Sequence, residues 1–250
     1  MKHEQMLDRL VENALDFLER SLADFDEEPK YSVIHFYAAV ELFLKARLLA
    51  EHWSLVVAKR QDPDLKKFES GDFQSVTLDD AADKLDKVLQ SPLTPAELSQ
   101  FRNLAKHRNR MVHFFHDAAT AQAQDDLKQQ IAMEQLKAWY YLNRLLLERW
   151  DAIFGKWRDD LGKVTAALKQ HHEYLQVIYD HIKPEIDAKI EAGSTIEVCP
   201  LCGFRSAETE EILGDFKHRD CMVCQFEAQC LMVDCPDCGH TVIFVGDGFS

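Results

Sequence analysis

Apolar residues recur at helical intervals over the first part of the chain. Met6, Leu10, Ala14, Phe17 and Leu18 share one face of a first helix, which ends before the acidic turn "DFDEEPK". The next segment, about Tyr31 to Lys59, is apolar on almost every side around "VIHFYAAVELFLKARLL", the pattern of a buried helix. "QDPDLKKFESGDFQS", with Pro63, Gly71 and scattered charge, reads as a loop. A helix restarts at "TLDDAADKLDKVL", with Thr77 as N-cap and Asp80 in the first turn. "TPAELSQFRNLAKHRNRMVHFFH" opens on a capping box: Thr94 caps, Pro95 takes the first helical position, and Glu97 completes Thr-x-x-Glu. A further helix follows from about Asp125 through "QQIAMEQLKAWYYLNRLLLERW". Helices with such short connections predict a bundle over residues 1–150.

From 151 to 194 the pattern stays helical but more polar, as expected of a helical arm. Pro184 should start or kink a helix there, and Gly193 should stop one. At Thr195 the pattern changes to short apolar runs, "STIEVC", "FEAQCLMVDC" and "HTVIFV", which predict strands over 195–250. The expected architecture is mainly α, a helical bundle plus an arm, with a small C-terminal β module.

Composition narrows the function classes. Across 250 residues, 43 acidic side chains face 29 basic ones, a formal net charge of −14. Such a surface repels nucleic acid and anionic lipid in general, but leaves room for a local basic site. No apolar run is long enough to span a membrane, and the N-terminus lacks the apolar core of a signal peptide. A cytoplasmic location is expected.

All seven cysteines lie beyond residue 198, and six form Cys-x-x-Cys pairs: Cys199/Cys202, Cys221/Cys224 and Cys235/Cys238. In each pair the turn can point both thiolates at one ion, which predicts structural zinc in a ribbon-like module. The first two pairs are 18 residues apart, the second and third 10, and the outer two 32, so spacing permits each pairing. His218, Cys230 and His240 could complete a second site. Residues 196–250 hold ten Asp/Glu against three Lys/Arg, which favours a structural or protein-docking ribbon over RNA recognition.

The segment "HRNRMVHFFH", His107 to His116, runs against the acidic composition. From Leu98 to His116 there are four Lys/Arg and no acid. At 100° per residue, Leu98, Phe101, Ala105, Val112 and Phe115 form a core stripe, with Arg108 in its middle. A guanidinium on an apolar stripe calls for a partner or an interface. Arg102, Lys106, Asn109, His113 and His116 form a second stripe, a surface of donors suited to phosphate. His107 and His116 have no assigned role.

The spacing Arg108-Asn109-x-x-x-His113 resembles the Arg-x(4–6)-His motif of HEPN (higher eukaryotes and prokaryotes nucleotide-binding) domains, and "RNLAKH" (Arg102 to His107) matches it too. Upstream, "AAVELFLKARLL", Ala38 to Leu49, resembles the helix that precedes the motif in that family. The resemblance covers roughly residues 1–150. It implies a compact bundle, a homodimer whose motif helices meet, and metal-independent cleavage of RNA by ribose 2′-hydroxyl attack, in bacterial defence or a toxin–antitoxin pair. On that reading Arg108, Asn109 and His113 are catalytic, with Glu41, Arg102 and Lys106 in support. Glu41 would either pair with Lys45 one turn on or orient Arg108. An antitoxin or another protein would dock through the ribbon. Phe115 stands where some family toxins carry a tyrosine that is silenced by nucleotidyl transfer. The rival expectation is a non-catalytic RNA-binding, nucleotide-binding or interaction module. A third makes the helical part only a dimerisation unit for a regulatory ribbon.

Overall fold

A computed structural model describes residues 3–113, 120–213, 216–234 and 241–246. The chain is mainly helical, with a small antiparallel sheet and a cysteine cluster near its C-terminus. It divides into two compact units, Met1–Leu168 and Lys169–Ser250. No helix among the described residues is long and apolar enough to cross a membrane.

The first unit contains α1 (His3–Ala23), α2 (Pro29–Glu51), α3 (Leu65–Ser70), α4 (Leu78–Lys87), α5 (Pro95–His113), α6 (Ala121–Arg144), α7 (Asp151–Phe154) and α8 (Arg158–Leu168). Helix α2 is its axis. Val33, Phe36, Val40, Phe43, Leu44 and Leu48 are buried, and α1, α4, α5 and α6 all pack on it. Each such side chain removed from water is worth about 1.5–3 kcal/mol. This is why an apolar-all-round sequence becomes the central helix. One polar knot crosses the same core: the Gln135 amide donates to Ser21 Oγ (2.9 Å) and Ser32 Oγ (2.7 Å), and Ser32 donates to the Ser21 carbonyl (2.8 Å).

Caps behave as local chemistry dictates. Asp80 N donates to Thr77 Oγ1 (3.2 Å). At α5 the capping box closes both ways, Thr94 N to Glu97 Oε2 (2.7 Å) and Glu97 N to Thr94 Oγ1 (3.3 Å). Glu97 is 5% exposed, and Arg149 reaches it with both terminal nitrogens (2.9 and 3.2 Å). That bidentate pair ties the start of α5 to the turn after α6.

Three expectations change. The stretch read as a loop contains α3, capped by Asp64, whose side chain accepts from Lys67 N, and stopped by Gly71 at φ +79°. The expected arm over 151–194 is divided between the units. Phe154 packs edge-on to Phe43 (6.0 Å), and Leu161, Val164 and Leu168 of α8 are buried, so 151–168 completes the bundle core. Of the two places expected for Pro184, opening a helix or kinking one, the first is ruled out, because it lies inside α9 (His172–Glu191). Gly193, at φ +99°, follows the end of α9, where its N–H donates to the Ile190 carbonyl (3.0 Å).

The second unit joins α9 to a meander of β1 (Ile196–Val198), β2 (Arg205–Leu213), β3 (Phe216–Cys221), β4 (Glu227–Asp234) and β5 (Thr241–Gly246), each strand antiparallel to the next. Strands β2 and β3 have no apolar alternation. Their buried positions are Ser206, Ala207, Thr209, Arg219 and Cys221, small or charged residues paired across the ladder.

Glu97→Ala should lower the free energy of unfolding by about 3 kcal/mol, because it removes a cap and the buried partner of Arg149 together. Thr94→Ala removes one capping bond and should cost about 1 kcal/mol. Urea midpoints at unchanged slope would measure both, and equal losses would refute the role given to Arg149.

Candidate functional site

Two regions carry candidate chemistry, one in each unit. In the second unit, the turn 199–204 joins β1 to β2 and the turn 221–226 joins β3 to β4. The sheet brings the two turns together through the β2–β3 pairing of Ala207 with Cys221. The thiols of Cys199, Cys202, Cys221 and Cys224 all lie within 4.8 Å of one another, three buried and the fourth half-buried. Cys199 Sγ is 3.7 Å from Cys224 Sγ, and Cys202 Sγ is 3.7 Å from Cys221 Sγ. A disulfide needs sulfurs about 2.05 Å apart, so neither pair is one. A tetrahedron with arms of about 2.3 Å, the zinc–thiolate length, has edges of about 3.8 Å, so the four sulfurs fit one divalent ion.

The protons on these thiols follow from their surroundings. Burial pushes Cys202 up to about 11, and burial likewise raises Cys224. Burial opposes ionisation of Cys221 too, but the Ser206 hydroxyl and the amides of Cys224 and Val223 outweigh it and hold this thiol below its ordinary value. Ser206 Oγ is 3.2 Å from Cys221 Sγ. Cys221 thus forms a thiolate more readily than Cys202 or Cys224, and a bound cation would favour ionisation of those two.

Among the described residues, the first two Cys-x-x-Cys turns meet, one of the pairings the spacing allowed. Cys235, Cys238 and His240 lie outside the described residues. Cys230 is fully buried but not one of the clustered four. His218 lies 3.8 Å from Glu227 and is likewise not in the cluster.

In the first unit, α5 carries the basic residues. Phe101 and Leu104 are buried on α2, and the same face continues through Arg108, which is half-buried. Its guanidinium lies over the Tyr37 ring, 5.7 Å from the centroid, and donates to Asn109 Oδ1 (3.0 Å). Tyr37 in turn donates to Glu41 Oε1 at 3.5 Å. Burial, reinforced by the Glu41 carboxylate, pushes the Tyr37 phenol well above its ordinary value, while Arg108 pulls the other way. Among the described residues Glu41 forms no ion pair with Lys45 or with Arg108. Its hydrogen bond comes from Tyr37, the ring that lies under Arg108. The sequence reading missed this tyrosine, although it stands one helical turn before Glu41 in a helix otherwise apolar.

The remaining residues are dispersed. Arg102 pairs with Asp79 of α4 (2.7 Å), and exposed Lys106 reaches Asn103 Oδ1 (3.5 Å). His107 packs against α6, its Nε2 3.0 Å from Glu134 Oε2, which gives it a structural place. Asn109 and His113 are exposed, and His113 is the last residue of α5. Val112 beside it is 46% exposed. Phe115 and His116 lie outside the described residues.

No family model matches the chain, and neither the curated proteins nor the solved structures hold a match to it.

Replacing Cys199 or Cys221 by serine should reduce the metal content of the purified chain by one ion relative to wild type, measured by atomic emission. Cobalt bound in place of the native ion should show the intense visible absorption of a tetrahedral tetrathiolate. An unchanged metal content would remove the four-cysteine centre from consideration.

Proposed function

We propose that the chain is a metal-independent endoribonuclease of the HEPN type, with Arg108, Asn109 and His113 as its reacting groups and a zinc-held C-terminal ribbon. The observation that carries the reading is the fixed guanidinium at the open end of α5. Arg108 stands on the core face in register, yet its side chain is held on Tyr37 instead of being buried, next to exposed Asn109 and His113.

The chemistry suits these groups. Attack of the ribose 2′-oxygen on phosphorus forms a cyclic phosphate and breaks the bond to the 5′-oxygen. One proton leaves the 2′-hydroxyl and one reaches the 5′-oxygen. Imidazole can carry out either transfer near neutral pH, so His113 serves as general acid or base. Negative charge gathers on the non-bridging oxygens, which the Arg108 guanidinium stabilises, with Asn109 orienting it. The α5 face that leaves the core at Leu104 and continues through Val112 suits a second copy of the chain. A homodimer would offer each role twice in one cleft.

We take the ion to be zinc, which four thiolates at these distances suit, and a closed tetrathiolate site leaves no open position for catalysis. Its part is to hold the ribbon, which the acidic surface suits to a protein partner such as an antitoxin. Free thiols of this kind suit a reducing compartment, the cytoplasm. Defence or a toxin–antitoxin pair is the setting we infer.

The engagement of Arg102 by Asp79 and of Arg108 by Asn109 favours the second reading, a module that binds RNA or nucleotides without cleaving them, because it leaves fewer donors for a transition state. Incubation with total RNA and tRNA separates the two. The enzyme should cleave in excess EDTA, and His113→Ala should lose about 100-fold or more of the rate. Tyr37→Phe keeps the ring beneath Arg108 and should retain most activity, whereas Tyr37→Leu should not. Tight binding with no cleavage by wild type would establish the second reading.

A further inference from the structure

The two cysteine turns are near copies of one another. Cys199 N donates to the Phe204 carbonyl (2.8 Å) and Gly203 N to the Cys199 carbonyl (3.0 Å). Cys221 N donates to the Phe226 carbonyl (2.8 Å) and Gln225 N to the Cys221 carbonyl (2.9 Å). The residue after the second cysteine must take a left-handed backbone. In the first turn it is Gly203 at φ +77°, but in the second it is Gln225 at φ +63°, a conformation that a β-carbon disfavours.

The Gln225 side chain has a partner there. Its Oε1 accepts a hydrogen bond from Lys169 Nζ. Lys169 is half-buried and stands just ahead of α9. Burial lowers the affinity of its amine for a proton, while Cys224 and Cys221 oppose that shift, so the ammonium lies in the field of the second turn's sulfurs. Helix α9 also grips the first turn, where Phe204 is stacked between His172 and Tyr179, each 4.9 Å away. The same stretch of chain therefore touches both turns.

Four thiolates around a divalent ion carry two net negative charges. The surrounding strands are acidic, and Lys217 and Arg219 are both paired with Glu197. We propose that Lys169, held in place by Gln225, is the outer countercharge of the cysteine centre and sets how tightly and how inertly the metal is held. Lys169 is a positioning residue: it binds no metal and acts through the charge on the thiolates. The proposal rests on the four-cysteine zinc reading. It also explains why a glutamine stands where glycine is cheaper.

The test uses the full chain carrying Cys235→Ser and Cys238→Ser, so that released zinc reports on this centre alone. Zinc content is measured first, then the rate of zinc transfer to a chromogenic chelator. Lys169→Met should release zinc about 10-fold to about 100-fold faster than the parent, and Lys169→Arg should stay near the parent rate. Gln225→Gly relieves the backbone and yet should also release zinc faster. If Lys169→Met holds no zinc while Lys169→Arg does, the proposal stands. Loss in both, or Lys169→Met and Gln225→Gly at the parent rate, would overturn it in favour of a packing role. A parent chain without zinc would overturn the zinc reading itself, which the content measurement reveals before any rate is taken.

Discussion

Helix α2 has no polar face to give to water, and the bundle is arranged around that constraint. Between Ser32 and Leu49 twelve of its side chains are buried and the rest are half-buried, so neighbouring helices must cover most of its surface. Helices α1, α4, α5 and α6 do so, and Phe154, just after the turn that follows α6, closes on Phe43. Several polar groups inside are satisfied in place: Ser21, Ser32 and Gln135 bond one another, and Arg47 lies over the Trp150 ring while pairing with Glu51, whereas Arg47 Nε, Trp139 Nε1 and Asn143 Oδ1 have no hydrogen-bond partner among the described residues. Buried polar groups without such partners would each cost on the order of 1–3 kcal/mol. The candidate site inherits its geometry from this packing, because Tyr37 and Glu41 face α5 from the same buried helix.

The second unit solves the opposite problem. Strands β2 and β3 bury small and charged residues, so these two strands contribute little apolar interior. The four clustered thiols lie at the ends of the same strands. A metal bound there stabilises the fold by the free energy of coordination, because the unfolded chain offers no assembled site. The stacking of Phe204 between His172 and Tyr179, and the Lys189–Glu208 pair (2.6 Å), fasten α9 to the same scaffold. The helix thereby becomes part of the module instead of a tether to it.

Charge is unevenly distributed along the chain. The chain carries a net −14, while α5 from Leu98 to its end at His113 holds no acid. Some of its donors are already engaged, Arg102 by Asp79 and Arg108 by Asn109.

Local signals were legible from the sequence because their chemistry acts over a few residues. The Thr94–Glu97 box, the Thr77 cap, the buried character of α2 and the pairing of thiols within the first two Cys-x-x-Cys turns are of this kind. The core stripe read on α5 holds only in part: Phe101 is buried, Leu98, Ala105 and Arg108 are half-buried, and Val112 is exposed, because the helix leaves the core after Leu104. Only the tertiary structure decided which cysteine turns meet, since several spacings were equally permitted. It also assigned 151–168 to the bundle and α9 to the ribbon, formed β2 and β3 from residues with no apolar alternation, and set Tyr37 beneath Arg108. These contacts join positions far apart in the chain. Their energy depends on which surfaces are brought together, and no local period records that.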